Sequence, residues 1–260
     1  MTTVDMRTMS TVPTAAAGMT TAIDMADAMT GEAATGEAIV KLMTWLSPAF
    51  PVGAFTYSHG LEWAIEDGTV TSADDLRAWL SDILRHGAGR SDAILFAHAY
   101  RASASGDIGA MRSVAELAYA LQPSRERRLE AGAQGKAFVT AIGATWDAPS
   151  LALLAKDLAP TPVAYSVAVA VAASDHRLGL PLALESFVSA FVANLVSAAV
   201  RAVPLGQTDG QRVIRDMAPI ASAVAGEALA ATLDDVGGAV LRADIASMKH
   251  ETQYTRLFRS

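Results

Sequence analysis

The stretch that decides the fold class is SADDLRAWLSDILRH, residues 72–86. Asp75 follows Ser72 by three residues, a spacing typical of a helix start, where the hydroxyl and the carboxylate satisfy free backbone N–H groups. Apolar residues then recur at i, i+3, i+4, i+7 and i+8, which places one set on a single helix face: Leu76, Trp79, Leu80, Ile83 and Leu84. The stretch therefore predicts an amphipathic α-helix.

Other segments repeat the helical pattern. Ser124 begins a further predicted helix, and the segments 162–178 and 181–203 each begin with a proline, whose missing N–H costs nothing in a first helical turn. Residues 163–171, VAYSVAVAV, are the nearest to a strand, but their alanine content and the length of the run favour helix. We predict an all-α fold, a single-domain multi-helix bundle over residues 37–260.

The first 36 residues differ from the rest of the chain. They consist mainly of Thr, Ala, Met and Gly, with few bulky apolar side chains. Such a segment buries too little surface to offset the entropy lost on ordering, so we predict a disordered leader over residues 1–36. It lacks the compact apolar run of a signal peptide.

Composition excludes several classes of protein. Hydrophobic residues make up 52% of the 260 residues, enough for a sizeable core, and the net charge of -7 argues against a nucleic-acid binder. The absence of cysteine excludes disulfides and thiolate metal sites. The uncharged stretches either contain prolines or fall short of the ~20 residues that span a bilayer. We therefore expect a cytoplasmic protein that is not embedded in a membrane.

The segment 248–260, MKHETQYTRLFRS, is unusual for the end of a chain, which commonly consists of small polar residues. Large apolar side chains alternate here with cationic ones: Tyr254, Arg256, Leu257, Phe258 and Arg259. Such a mixture predicts a segment that lies on another surface. That surface is either a groove of the same chain or a partner protein, and composition alone leaves both possibilities open.

A second motif, SPAFPVGAFTYSHGLE, covers residues 47–62. Pro48 and Pro51 end the preceding helix, because the residue before a proline avoids the helical conformation. Gly53 permits a sharp reversal of the chain. The candidate functional residues of this motif are Tyr57, Ser58, His59 and Glu62.

A third motif, NLVSAAVRAVPLGQTDGQ, covers residues 194–211. Asn194 and Arg201 fall on an apolar helical stripe, where an unsatisfied polar group would cost roughly 1–3 kcal/mol. Pro204 should end that helix and leave residues 205–211 as a polar turn. We interpret the segment as a polar junction with a functional role, although simple packing would explain it as well. Its candidate residues are Arg201, Gln207, Asp209 and Gln211.

In order and spacing, the three motifs resemble the UreF family of urease accessory proteins. Residues 47–62 resemble its SPALPVGGFSYSHGLE segment, residues 197–211 its SAAVRLVPLGQTDGQ segment, and residues 246–260 its ASMRHETQYSRLFRS tail. Residues 124–138 are similar in a weaker way. One departure is Thr161, which stands where the family often has histidine.

The resemblance implies an all-helical, dimeric protein that binds the accessory protein UreD, also called UreH. That complex would recruit the GTPase UreG onto apo-urease and regulate GTP-dependent nickel insertion, with no catalysis by the chain itself. We expect partner binding by the tail residues Tyr254, Arg256, Leu257, Phe258 and Arg259.

Enzymatic alternatives find less support in the residues. Gly132–Lys136 lacks the spacing of a phosphate-binding loop, and the five histidines are scattered, so we expect neither a cofactor nor a metal site. His59 and Glu62 are three residues apart and could share a helix face. Residues 56–60 differ by one residue from a nucleophile elbow, which makes a serine hydrolase using Ser58 one alternative function. A generic helical scaffold protein is the other.

Overall fold

A computed structural model describes residues 36–203 and 205–260. The chain divides into two compact units, Met1–Lys41 and Leu42–Ser260. The predicted leader, residues 1–36, lies outside the described part except for Gly36, which is helical. Within the described residues the regular structure is entirely helical and no strand is present, so the all-α prediction is confirmed.

Helix α1 covers residues 36–45, and ten further α-helices follow in the described part of the chain. They are α2 (Leu61–Glu66), α3 (Ala73–His86), α4 (Ala88–Ala104), α5 (Ile108–Ala120), α6 (Arg125–Thr145), α7 (Pro149–Leu158), α8 (Tyr165–Asp175), α9 (Leu180–Ala202), α10 (Gln207–Ala230) and α11 (Leu241–His250). Short 3₁₀ turns lie at Ala54–Thr56 and Leu233–Asp235.

The predicted helix starts are mostly confirmed. The Ser72 hydroxyl accepts the Asp75 N–H at 3.2 Å at the start of α3, and the Ser124 hydroxyl accepts the Arg127 N–H at 3.1 Å at the start of α6. The start predicted at Pro162 is wrong, because α8 begins at Tyr165. The intervening backbone crosses α6 at Gly135, where an added Cβ would lie 1.8 Å from the carbonyl oxygen of Val163.

Helix α8 lies at the centre of the unit Leu42–Ser260. Its residues from Ser166 to Ala173 are all buried, and it packs against α4, α6 and α7. A helix that is apolar on every side belongs in such a position. Within the Val163–Val171 run, the residues from Tyr165 onward are helical, as the alanine content predicted, whereas Val163 and Ala164 precede α8.

Helix α9 is long and apolar enough, by length and composition alone, to cross a membrane. Half of its most apolar window is nevertheless buried inside the protein. It packs against α10 and α4, which is the environment of a core helix.

Helix α11 lies against α2, and this contact positions the tail. Gly60, at φ +76°, precedes α2, and an added Cβ there would lie 2.5 Å from the backbone nitrogen of Ser247 in α11. Only glycine permits so close an approach. Because α11 ends at His250, the residues that follow it start beside the 47–62 motif.

Candidate functional site

The tail, defined here as residues 251–260, is held by a carboxylate on α2. Both oxygens of Glu62 accept backbone N–H groups: Oε1 from Leu257 at 2.6 Å and Oε2 from Phe258 at 2.9 Å. Oε2 also lies 2.9 Å from Nε2 of His250. Two consecutive amide groups that point at one anion form a strong, charge-assisted arrangement. Glu62 therefore fixes the backbone in the middle of the tail.

A second carboxylate, on α6, holds the start of the tail. Glu126 lies 2.6 Å from Nδ1 of His250 and accepts a hydrogen bond from Arg256 at 2.8 Å. In the reverse direction, the Glu251 carboxylate accepts the backbone N–H of Arg125 at 2.8 Å. His250 is fully buried and bridges Glu62 and Glu126, so α2, α6 and α11 meet at one polar contact.

Residues 259 and 260 bind the 56–58 segment, where Ser260 is fully buried and Arg259 is exposed. The carbonyl oxygen of Ser260 accepts hydrogen bonds from the backbone N–H of Ser58, at 2.6 Å, and from the Ser58 hydroxyl. The Ser260 hydroxyl donates to Glu130 at 2.7 Å. Arg259 donates its N–H to the Thr56 carbonyl at 2.7 Å, and its side chain contacts the Tyr57 hydroxyl. The tail thus continues along the whole 56–62 segment.

Glu130 belongs to a buried charge cluster. Its carboxylate lies 2.5 Å from the Arg127 guanidinium and 2.9 Å from Nδ1 of His59. Burial alone would raise the pKa of Glu130, but Arg127, His59 and the Ser260 hydroxyl outweigh burial and hold the pKa at about 2. Burial and the neighbouring Arg127 lower the pKa of His59, which favours a neutral imidazole.

The same cluster lines a small cavity of about 50 Å³ between α4, α6, α8 and α9. Nε2 of His59 is buried there and has no hydrogen-bond partner among the residues that the structure describes. Asp92, on the opposite helix, accepts a hydrogen bond from Ser166 at 3.0 Å, and burial raises the pKa of this carboxyl group. Aromatic side chains complete the walls: Tyr57, Tyr165, Phe187 and Phe191.

The anchored tail shows two faces. Tyr254 is fully exposed and Leu257 is 71% exposed, whereas Phe258 is only 4% exposed. The Arg201 guanidinium, at the end of α9, lies 4.6 Å from the centre of the Phe258 ring, a cation–π contact. The tail therefore docks on its own chain and still presents large side chains to solvent, and binding of a partner protein stays a prediction.

Helix α11 carries a further set of exposed apolar side chains. Leu241, Ile245 and Met248 follow one another at i, i+4 and i+7, so they share a helix face, and each is about half exposed or more. In a solvated helix such a face would usually be polar. With Tyr254 and Leu257 these residues form what we call the docking surface.

The structure brings most of the predicted site residues together. Tyr57, Ser58 and Glu62 contact the tail directly, and His59 contacts it through Glu130. Arg201 reaches it through Phe258. The two motifs at residues 47–62 and 248–260, which are about 190 residues apart in sequence, thus form one site.

The remaining junction residues lie elsewhere. The predicted polar turn at residues 205–211 is wrong, because Gln207 begins α10 and Gln211 lies in its first turns. In the part of the chain that the structure describes, no hydrogen bond joins Gln207, Asp209 or Gln211 to the tail. Asp209 pairs instead with Arg212 at 2.7 Å, as an acidic residue in a first helical turn commonly does.

Two further expectations need correction. Arg201 was expected to share the buried stripe of α9, but it is exposed, because it lies at the helix end, where its head lies over Phe258. His59 does not share a helix face with Glu62, because its φ of +58° places it before α2 begins. Its partner is Glu130 on α6.

The geometry around Ser58 does not resemble a nucleophile elbow. The residue is fully buried, it lies in a helical protein, and its hydroxyl donates to Ser260 instead of to an imidazole. Among the described residues, no group of three or more His, Cys, Asp or Glu side chains has the geometry of a metal site.

Sequence reasoning missed the residues that anchor the tail from α6 and α11, namely Glu126, Glu130 and His250. A signal for part of this set was present. Glu126, Glu130 and Gln134 recur every fourth residue, which places them on one face of α6, and all three are buried. A polar stripe of this kind at the first half of a long helix indicates a buried network.

Comparison with known proteins gives a consistent result. A family model described as UreF matches residues 70–218. The chain is 53% identical over 225 residues to the urease accessory protein UreF of Rhodopseudomonas palustris strain HaA2, which covers 86% of the chain and 94% of that protein.

Two other relatives carry the same description. The chain is 51% identical over 242 residues to the urease accessory protein UreF of Rhodopseudomonas palustris strain BisB18, covering 93% of the chain and 100% of that protein. It is 52% identical over 219 residues to that of Methylobacterium sp. strain 4-46, covering 84% and 87%. The chain belongs to the UreF family of urease accessory proteins.

Proposed function

We propose that this protein acts in urease maturation by binding UreD through its docking surface and by bridging UreD to the GTPase UreG on apo-urease. In this role it regulates GTP-dependent nickel insertion as a cytoplasmic homodimer and performs no bond-making of its own. The observation that carries the proposal is the anchored tail, in which Glu62 and Ser58 hold the backbone and Glu126 holds the Arg256 side chain, while Tyr254 and Leu257 stay exposed.

Anchoring the tail to its own chain lowers the entropy cost of binding a partner. A free peptide tail loses conformational entropy when it binds, at about 0.5–1.5 kcal/mol for each immobilised flexible side chain. Here the backbone of the tail is already fixed by hydrogen bonds to buried groups, so less entropy remains to be lost. Exposed aromatic and aliphatic anchors on a rigid base are the usual centres of binding energy.

The start of α10 supplies a second surface for the same role. Gln207 and Gln211 are exposed there, and Asp209 is half-buried. We assign this surface to the UreG side of the complex, because it is polar and, among the described residues, makes no hydrogen bond to the tail.

The test is co-purification of UreD with the full chain after co-expression. The double variant Tyr254→Ala, Leu257→Ala should retain little UreD, since it removes the two exposed anchors without touching a buried contact. We expect a loss of at least about tenfold in affinity, in line with the cost of truncating a central interface anchor.

Leu153→Ala provides the matched control, because Leu153 is a comparably exposed leucine on α7. This variant should bind UreD like the unmodified chain. Equal UreD binding by the double variant and the control would exclude the docking surface. Nickel content of urease, measured in the same cells, should fall with the double variant alone.

A further inference from the structure

We propose that Glu62 is a positioning residue for UreD binding, and that it acts through Leu257. The inference rests on the proposed function and extends it to a residue buried beneath the docking surface. Nothing in the side chain of Glu62 is available to a partner, because it is 8% exposed. Its effect on a partner must therefore pass through the tail.

The Glu62 carboxylate is surrounded by hydrogen-bonding groups. It accepts the N–H groups of Leu257 and Phe258, and it lies 2.9 Å from Nε2 of His250. A buried carboxylate with such partners is well stabilised, and the loss of one donor leaves part of its charge without compensation. The tail and α11 are thus the groups that solvate Glu62 in the folded protein.

The contact with Glu62 also sets the directions in which the side chains of Leu257 and Phe258 point. Since Glu62 holds two consecutive amide groups, the side chains of Leu257 and Phe258 leave the backbone in different directions. Leu257 is turned outward and Phe258 is buried under Arg201. Without the two hydrogen bonds the backbone could rotate, and the choice of which side chain faces a partner would be lost.

Glu62 is itself held in a fixed position by its neighbours. Its backbone N–H lies 3.3 Å from the Ser58 hydroxyl, and Ser58 in turn contacts Ser260. Gly60 places α2 directly against the backbone of α11. The carboxylate therefore sits on a rigid element, as a positioning residue requires.

The test uses Glu62→Gln in the full chain. The amide keeps the size of the side chain, but its NH₂ group cannot accept the second N–H. Two measurements follow: chymotryptic cleavage after Tyr254 in the isolated chain, and the affinity for UreD. We expect cleavage to accelerate about tenfold or more and the affinity to fall by a similar factor, which corresponds to one charge-assisted hydrogen bond.

A double-mutant cycle separates positioning from general stability. If Glu62 acts through Leu257, the effect of Glu62→Gln on UreD affinity should shrink in a Leu257→Ala background. Additive effects would contradict the proposal, as would unchanged cleavage in the isolated chain. Glu116→Gln is the matched control, because Glu116 is an exposed carboxylate on α5 that pairs with Arg112, and it should change neither measurement.

A second pair of variants covers the case in which Glu62→Gln does not fold. Leu257→Ala removes the side chain alone, whereas Leu257→Pro also removes the N–H that Glu62 accepts. Faster cleavage after Tyr254 in the proline variant than in the alanine variant supports the proposal, and equal rates contradict it. If the unmodified chain does not bind UreD, the proposed function fails, and the cleavage rates still decide whether Glu62 holds the tail.

Discussion

The tail and the start of α10 make an instructive comparison, because both are polar motifs near helix ends and have opposite surroundings. The tail meets buried carboxylates at Glu62, Glu126 and Glu130. The start of α10 is exposed, and its one acidic residue, Asp209, forms a local ion pair. A polar motif therefore contributes more to stability when its partners are buried. The composition of the motif alone does not reveal whether they are.

The largest expected difference concerns the charge cluster beneath the tail. Glu130→Ala should lower the free energy of unfolding by about 3–5 kcal/mol, because Arg127 is then left buried without its counter-charge. Urea or thermal unfolding monitored by circular dichroism would measure this change. Glu116→Ala should cost at most about 1 kcal/mol, as expected for an exposed ion pair. A similar loss of unfolding free energy in the two variants would contradict the expectation that the buried charge cluster stabilises the fold more than an exposed ion pair does.

Acid should weaken the tail region in a defined pH window. Because Arg127, His59 and Ser260 outweigh burial, the pKa of Glu130 falls from its ordinary value of 4.5 to about 2. The unfolded chain therefore binds this proton first as the pH falls. The stabilisation by Glu130 is complete above pH 4.5 and is lost between about pH 4.5 and 2. The free energy of unfolding should fall across this window in the unmodified chain and change less in Glu130→Gln.

The comparison variant for the pH measurement is Glu116→Gln, which should keep the slope of the unmodified chain. If Glu130→Gln and the unmodified chain lose stability in parallel, the folded protein does not lower the pKa of Glu130 as the structure implies.

The smallest expected effects belong to the start of α10. Gln207→Ala should change the free energy of unfolding by no more than about 0.5 kcal/mol, because the side chain is exposed. Asp209→Ala should cost about 0.3–1 kcal/mol through the lost interaction with the helix N-terminus. Thermal unfolding measures both. A cost above about 2 kcal/mol for either would show that this motif is as structural as the tail.

Much of the fold could be predicted from the sequence, because local signals agreed with the final structure. Ser72 and Ser124 cap helices, and the apolar period over residues 76–84 marks a buried face. The exceptions were set by tertiary contacts. Pro162 does not begin α8, since the backbone that follows it crosses α6 at Gly135.

The site was predicted less completely for the same reason. The individual motifs at residues 47–62 and 248–260 were visible, but their contact depends on α11 lying against α2 through Gly60. The buried partners on α6 carried only a weak signal, because Arg127 and Glu130 also suit a solvated helix face. Their burial follows from the packing of other helices and of Ser260 around α6, which no local pattern encodes.

The most direct test of the central claim is amide hydrogen exchange in the isolated, unmodified protein. Glu62 accepts the N–H groups of Leu257 and Phe258, so these two amides should exchange far more slowly than the exposed backbone around Tyr254. Exchange of both amides at the rate of an unstructured peptide would contradict the account, because the tail would then not be held by the carboxylates beneath it.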